Sequence, residues 1–297
     1  MYDIIIVGAG PAGMTAGIYA RRAKKNVLVL EALNYGGQII NTLSIENYPG
    51  MPYVSGFDFA TSLYNQAKEL GVKFKFEKVL KIKDGSIKKV ITSKDTYEGK
   101  TIILATGCEN RKLGVAREDE FLGKGISYCA TCDGNFFKGK EVAVIGGGNS
   151  ALDDADYLSD IASKVYLIHR GDKFNGEEAI LDSLKKKKNV EFILNSKVTE
   201  LIGDKKLEKI VLNDKNDLDV DGVFVAVGKI PENENFRKLI DLDDKGYIKA
   251  SENCHTNVPG VFVAGDARVK KLRQLVTAAS DGAMAATEAI KYMGKVK

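Results

Sequence analysis

At 297 residues, 44% hydrophobic and 28% charged, the chain is long enough for two domains with cores of their own and has the make-up of a globular protein. A net charge of +4 with no basic stripe or recognisable module excludes nucleic acid as an expected partner, and no apolar run approaches the roughly 20 residues of a membrane helix. Only two histidines occur, His169 and His255, too few for a His-rich zinc site and a poor start for a Ser-His-Asp triad; no metal is expected.

The first element is a strand. "MYDIIIVGAG" has neither a basic n-region nor a long apolar core, so it reads as a buried strand and not a signal peptide; the protein is expected to be cytoplasmic. Ile4 to Val7 is continuously apolar, as a parallel strand covered on both faces should be. Gly8, Gly10 and Gly13 then fit G-x-G-x-x-G. The first glycine permits a tight turn, the second lets backbone approach a pyrophosphate, and the third lets the next helix lie close to the strand. The following strand, "KNVLVLEA", ends at Glu31, 18 residues beyond Gly13, near the spacing for an acid that binds ribose hydroxyls. "TIILATG" closes this unit at Gly107.

The pattern recurs downstream. "KEVAVIGGGNSALDDADYLS" is again strand, glycine turn and helix, with Gly146 and Gly148 in the first two positions and Ala151 in the third. The next strand, "SKVYLIHR", ends in His169 and Arg170 with no acid; a guanidinium attracts a 2′-phosphate, which favours NADP over NAD. The run Lys185 to Lys188 reads as a helix end in solvent. "GVFVAVG" closes the second unit at Gly228. Another buried strand follows in "GVFVAGDA". There Gly265 allows close backbone approach and Asp266 offers an acceptor to polyol hydroxyls. In the last helix Ala278, Ala279, Gly282, Ala283, Ala285 and Ala286 permit tight packing.

One Rossmann unit does not account for this tail. The economical fold is α/β, with two Rossmann-like nucleotide-binding domains of three ββα layers, the second inserted into the first. Residues 1–112 and 243–297 are assigned to the first domain and 113–242 to the second, with linkers in "CENRKLGVAREDE" and "IPENENFRKLIDLDDKG".

"SYCATCDGNFF" holds two of the four cysteines. Zinc needs about four ligands, and Cys108 and Cys254 are isolated, so they read as small buried residues. A structural disulfide is out of place in the cytoplasm. Cys129 and Cys132 therefore read as a redox-active C-x-x-C pair at a helix start, where one thiolate is stabilised and exchange is fast. Asp133 follows at once and fits two roles, passing protons to the sulfurs or capping the helix. Two nucleotide domains and one dithiol together imply a flavin between a hydride donor and a disulfide.

In its motifs the chain resembles the low-molecular-weight thioredoxin reductase family over essentially its whole length. "CATCDG" ahead of "VAVIGGGNSA" is the most specific match, and "GAGPAG", "YGGQI", "ENYPG", "ILATG" and "GDA…RQLVTAASDGAMAA" occur in order. The resemblance implies FAD in the first domain, at Gly8, Gly10, Pro11, Ala12, Gly13, Glu31, Gly36, Gly37, Gln38, Asn47, Gly107, Gly265, Asp266, Arg273 and Gln274. It implies NADPH or NADH in the second, at Gly146, Gly148, Asn149, Ser150, Ala151, His169 and Arg170. It further implies Cys132 against the flavin, Cys129 exchanging with thioredoxin, Asp133 as proton donor, a homodimer, and hinge motion between the domains.

The departure is "IHRGDKFNGEE". NADPH-using members of the family show His-Arg-Arg and a further Arg four or five positions on; here Gly171 and Asn175 stand instead, and Lys173 is a point charge and not a fork. Donor choice is left among weak NADPH use, NADH, and a non-nicotinamide donor such as reduced ferredoxin or deazaflavin. Strong NADPH preference is not expected. Three other readings fit the chain less well. A peroxide-system reductase carries an extra N-terminal thioredoxin-like pair, a ferredoxin–NADP reductase lacks the dithiol, and a flavin-linked thiol sensor turns over slowly.

Overall fold

The computed structural model describes residues 1–42 and 44–295, which form two compact units, one of Met1–Glu109 with Ile230–Lys297 and one of Asn110–Lys229. The sequence boundaries at 112/113 and 242/243 compare with 109/110 and 229/230 here. The larger difference lies in 230–242, which reads as a polar linker yet buries Asn233, Phe236 and Ile240 in the first unit.

In the first unit β1 (Tyr2–Val7) leads through the glycine turn to α1 (Pro11–Arg22) and β2 (Val27–Glu31). Helix α2 (Gly56–Glu69) precedes β3 (Lys73–Phe76), and β4 (Val79–Lys83), β5 (Lys88–Thr92) and β6 (Thr96–Leu104) form an antiparallel meander. Strands β3, β2, β1 and β6 lie parallel in that order. Alternation along β1 explains the layers: Ile4 and Ile6 join the core under the helices, while Ile5 and Val7 join the core under the meander. A sheet covered on both faces has no solvent side, hence the unbroken apolar runs.

The second unit repeats the plan. Its elements are β7 (Ile126–Ser127), α3 (Ala130–Asp133), β8 (Glu141–Ile145), α4 (Asn149–Ser159), β9 (Lys164–Ile168), α5 (Glu178–Lys185) and β10 (Val190–Ile193), then β11 (Val198–Ile202), β12 (Lys209–Leu212), β13 (Asn216–Asp219) and β14 (Gly222–Val225). The parallel sheet runs β10-β9-β8-β14-β7, with β11 to β13 as a separate antiparallel meander. Val142 and Val144 face α4; Ala143 and Ile145 face the meander. The lysine run ends α5 with Lys185, Lys186 and Lys188 exposed, as expected, while Lys187 is half-buried: it bonds Ser159 Oγ at 2.6 Å and pairs with Asp156 and Asp160, both at 2.9 Å.

Back in the first unit, β15 (Val261–Val263) adds to β6, and α6 (Leu275–Lys295) packs along α1. The small residues of α6 make that approach possible. A Cβ on Gly282 would run into the Ala12 carbonyl. Among the described residues no helix is long and apolar enough to cross a membrane.

Candidate functional site

In the first unit the glycine turn is built by sterics. Gly8 has φ +108°, and a Cβ there would collide with the Ala105 carbonyl; one on Gly13 would collide with the Gly8 carbonyl. Gly10 differs: its φ is −76° and a Cβ would point into open space, with nothing within 4 Å. No contact within the described residues requires glycine there, which suits a phosphate at the N-terminus of α1, where Pro11 is the first helical residue and Ala12 is buried. Glu31 faces this turn, with Oε2 accepting from Ala9 N at 2.8 Å and Oε1 from Leu33 N at 3.1 Å. Gly36 and Gly37, both with positive φ, bring the next segment alongside: Gly36 N donates to Ala9 O at 2.9 Å, and Gln38 lies exposed beyond.

The other residues expected to contact the flavin come from segments distant in the chain. Asn47 Nδ2 donates to Gln274 Oε1 at 3.1 Å across 227 positions. Gly107, φ +71°, leaves its Cβ direction empty. Gly265, φ +76°, begins a one-turn 3-10 segment through Ala267. There Asp266 Oδ1 is buried with no hydrogen-bond partner among the described residues. A buried acceptor without a donor is costly unless a ligand supplies one, so Asp266 fits a polyol hydroxyl at this place. Arg273 stacks over Tyr247 at 4.0 Å and donates to Arg268 O.

Two features here escaped sequence reasoning. Asp281, on α6, accepts at one oxygen from Gly265 N (3.0 Å), Arg268 Nε (2.9 Å) and Lys270 Nζ (2.7 Å). It thereby pins the turn that carries Asp266. Burial alone would raise its pKa, but the donors of Arg268 and Lys270 hold it below the usual carboxylate range. Asn233, fully buried, accepts from Thr106 Oγ1 and donates to Gly246 O and Ala267 O, tying the turn after β6 to the Gly265 turn. Neither residue belongs to a local pattern; the only signal was an acid inside the small-residue stretch "ASDGAMAA".

In the second unit a Cβ on Gly146 would press on the Ala226 carbonyl and lie 2.7 Å from Ala151 Cβ, whereas Gly148, like Gly10, faces open space. Asn149 and Ser150 open α4 and are exposed. His169 lies against the turn: a Cβ on Gly147 would strike its ring. The segment after it folds back, with Asn175 N donating to Gly147 O at 2.6 Å and Glu177 N to Asn149 Oδ1 at 2.7 Å. Arg170, Asp172, Lys173 and Asn175 are exposed. On α4, burial and then the Asp153 carboxylate push Asp154 up to about 7, against the pull of Lys229.

The cysteines of the motif are joined, Cys129 to Cys132, with Cα atoms 5.3 Å apart. Cys129 is the N-cap of α3, so the pair does sit at a helix start. Asp133 ends that helix, precedes the 3-10 turn Gly134–Phe137 without a side-chain cap bond, and accepts from Ser127 Oγ at 2.6 Å. Cys108 and Cys254 are buried and neither is in a disulfide; burial pushes the Cys254 thiol up to about 12, so it carries no thiolate near neutrality. Among the described residues no group of three His, Cys, Asp or Glu is arranged for a metal ion.

The sequence pattern of the family described as pyridine nucleotide-disulphide oxidoreductase matches residues 2–283. A thioredoxin reductase of Listeria monocytogenes is 44% identical over 100% of this chain and 95% of its own length. A 34.2 kDa protein in the rubredoxin operon of Clostridium pasteurianum is 43% identical over 98% of this chain and 97% of its own. Among solved structures, the thioredoxin reductase of Streptococcus pyogenes superimposes with a TM-score of 0.94 at 39% identity, over 99% of both chains.

Proposed function

We propose, since the chain belongs to the pyridine nucleotide-disulphide oxidoreductase family, that it is a thioredoxin reductase, moving two electrons from a reduced donor to the disulfide of thioredoxin. The observation that carries this is the Cys129–Cys132 disulfide at the start of α3, within a unit that has its own dinucleotide-type glycine turn. When bound, FAD supplies two-electron exchange between a nicotinamide hydride and a disulfide.

The protein's part is binding, orientation and proton handling. The turn from Gly8 to Gly13, with Pro11 and Ala12 opening the helix, presents the N-terminus of α1 to phosphates. Glu31, Gly36, Gly37, Gln38 and Asn47 border the same turn. Gly107, Gly265, Asp266, Arg273 and Gln274 complete the flavin site, with the orphaned Asp266 oxygen awaiting a hydroxyl donor. In the second unit Gly146, Gly148, Asn149, Ser150 and Ala151 take the nucleotide phosphates, and His169 and Arg170 lie beside its adenosine end. Cys132 is the first sulfur to accept electrons, Cys129 exchanges with thioredoxin, and Asp133 hands over a proton as the sulfur–sulfur bond opens. The working form is a homodimer in the cytoplasm.

The test is direct. The purified protein should be yellow, and its flavin should bleach anaerobically when the true donor is titrated in. Cys132→Ser should cut thioredoxin turnover by roughly 10³-fold or more. A colourless protein, or a Cys132→Ser variant turning over at the native rate, would refute the reading.

A further inference from the structure

Ser127 is the last residue of β7 and only 4% exposed. Its hydroxyl meets three groups at the dithiol: Asp133 Oδ2 at 2.6 Å, the Cys129 amide at 3.0 Å and the Cys129 carbonyl at 3.3 Å. A hydroxyl has one proton to give and two lone pairs to receive with. The Cys129 N–H donates into one lone pair throughout, so the hydroxyl proton is left to choose between a carboxylate and a carbonyl.

We propose that Ser127 is a positioning residue for Asp133, holding its carboxyl in place in both protonation states. When Asp133 is a carboxylate, the hydroxyl donates to Oδ2. When Asp133 carries a proton, its O–H donates to Ser127 Oγ, and the serine proton turns to the Cys129 carbonyl. The change needs one O–H rotation and no backbone movement. The same hydroxyl fixes the amide of Cys129, so the acid and the sulfur it serves share one anchor.

This rests on the reading of the dithiol given above. Opening the disulfide takes two electrons: the sulfur–sulfur bond breaks, one sulfur becomes a thiolate and the other a thiol. The thiol proton comes from Asp133, which is left as a carboxylate and recovers its proton from solvent. With dithiothreitol as reductant the balance is the same. Its thiolate attacks one sulfur, the other leaves with the Asp133 proton, and a second thiolate closes the reagent's ring as the first sulfur departs.

The experiment measures how fast dithiothreitol reduces the Cys129–Cys132 disulfide of the purified protein, by quenched alkylation, beside steady-state thioredoxin turnover. Ser127→Ala should slow reduction about 10-fold, a part of what a general acid supplies, and Ser127→Thr should keep at least half the rate. In an Asp133→Asn background Ser127→Ala should cost less than about 2-fold more, since the group it positions is already gone. If the alanine variant fails to fold, Ser127→Thr and Ser127→Val, of nearly equal volume and differing in the hydroxyl, make the same comparison. A native rate for Ser127→Ala, a threonine variant as slow as alanine, or an undiminished loss beside Asp133→Asn would each overturn the proposal. If no variant, the native protein included, reduces thioredoxin while the dithiothreitol ordering holds, the functional reading fails and this inference stands.

Discussion

Gly171 and Asn175 occupy the two places where the family resemblance implies arginine for NADPH use, and the structure leaves Arg170 and Lys173 as exposed cations. Two charge-assisted contacts forgone weaken a 2′-phosphate by about 2–5 kcal/mol. The native enzyme should therefore show kcat/KM for NADPH no more than about 100-fold above that for NADH, a gap of about 2.7 kcal/mol. Asn175→Arg should move that ratio toward NADPH by about 10-fold, because the Asn175 backbone is already tied to Gly147 O and its side chain is exposed. Steady-state kinetics with both nucleotides decide it, and equal ratios in the two proteins would show that the 2′-phosphate lies elsewhere. At this scale the chemistry carriers were legible: C-x-x-C and the two glycine turns are local patterns. Asp281, Asn233 and Ser127 were not, because each acts through partners that only the fold supplies.

At the scale of elements, the glycine turns separate two jobs that one motif combines. Gly8 and Gly13 are fixed by backbone contacts within the protein, while Gly10 faces empty space at an ordinary φ. Gly10→Ala should therefore leave folding stability within about 0.5 kcal/mol yet weaken FAD at least 10-fold, whereas Gly8→Ala should destabilise the fold itself. Denaturant unfolding of the apoprotein and fluorescence titration with FAD measure the two effects; an unchanged FAD affinity in Gly10→Ala would contradict the placement of the phosphates. Strands and helices flanking the turns were readable from unbroken apolar runs. The segment 230–242 was not, because its buried residues Phe236 and Ile240 are spaced among charges in the manner of a linker.

At the scale of the whole molecule, each unit has separate cores on the two faces of its own sheet. Such a chain departs from a single all-or-none transition. Calorimetry of the apoprotein should resolve two transitions, and FAD at 100 times its Kd should raise only one, by the roughly 2.7 kcal/mol that mass action supplies. A single transition, or two that rise together, would count against independent units. The nested order of the units followed from one clue in the sequence, a further buried strand after the second unit had closed. The exact crossing points did not, since they depend on which side buries the connecting residues.

Because β15 and α6 are made last, the sheet begun by β1 stays unfinished while residues 110–229 are synthesised. At roughly 5–20 residues per second, ribosomes impose a pause on the order of ten seconds, during which the inserted unit can complete itself first. Throughout that interval the face of α1 that Gly282 later covers is bare, so the nascent chain is open to chaperones, and to aggregation, at the end of the molecule that matures second.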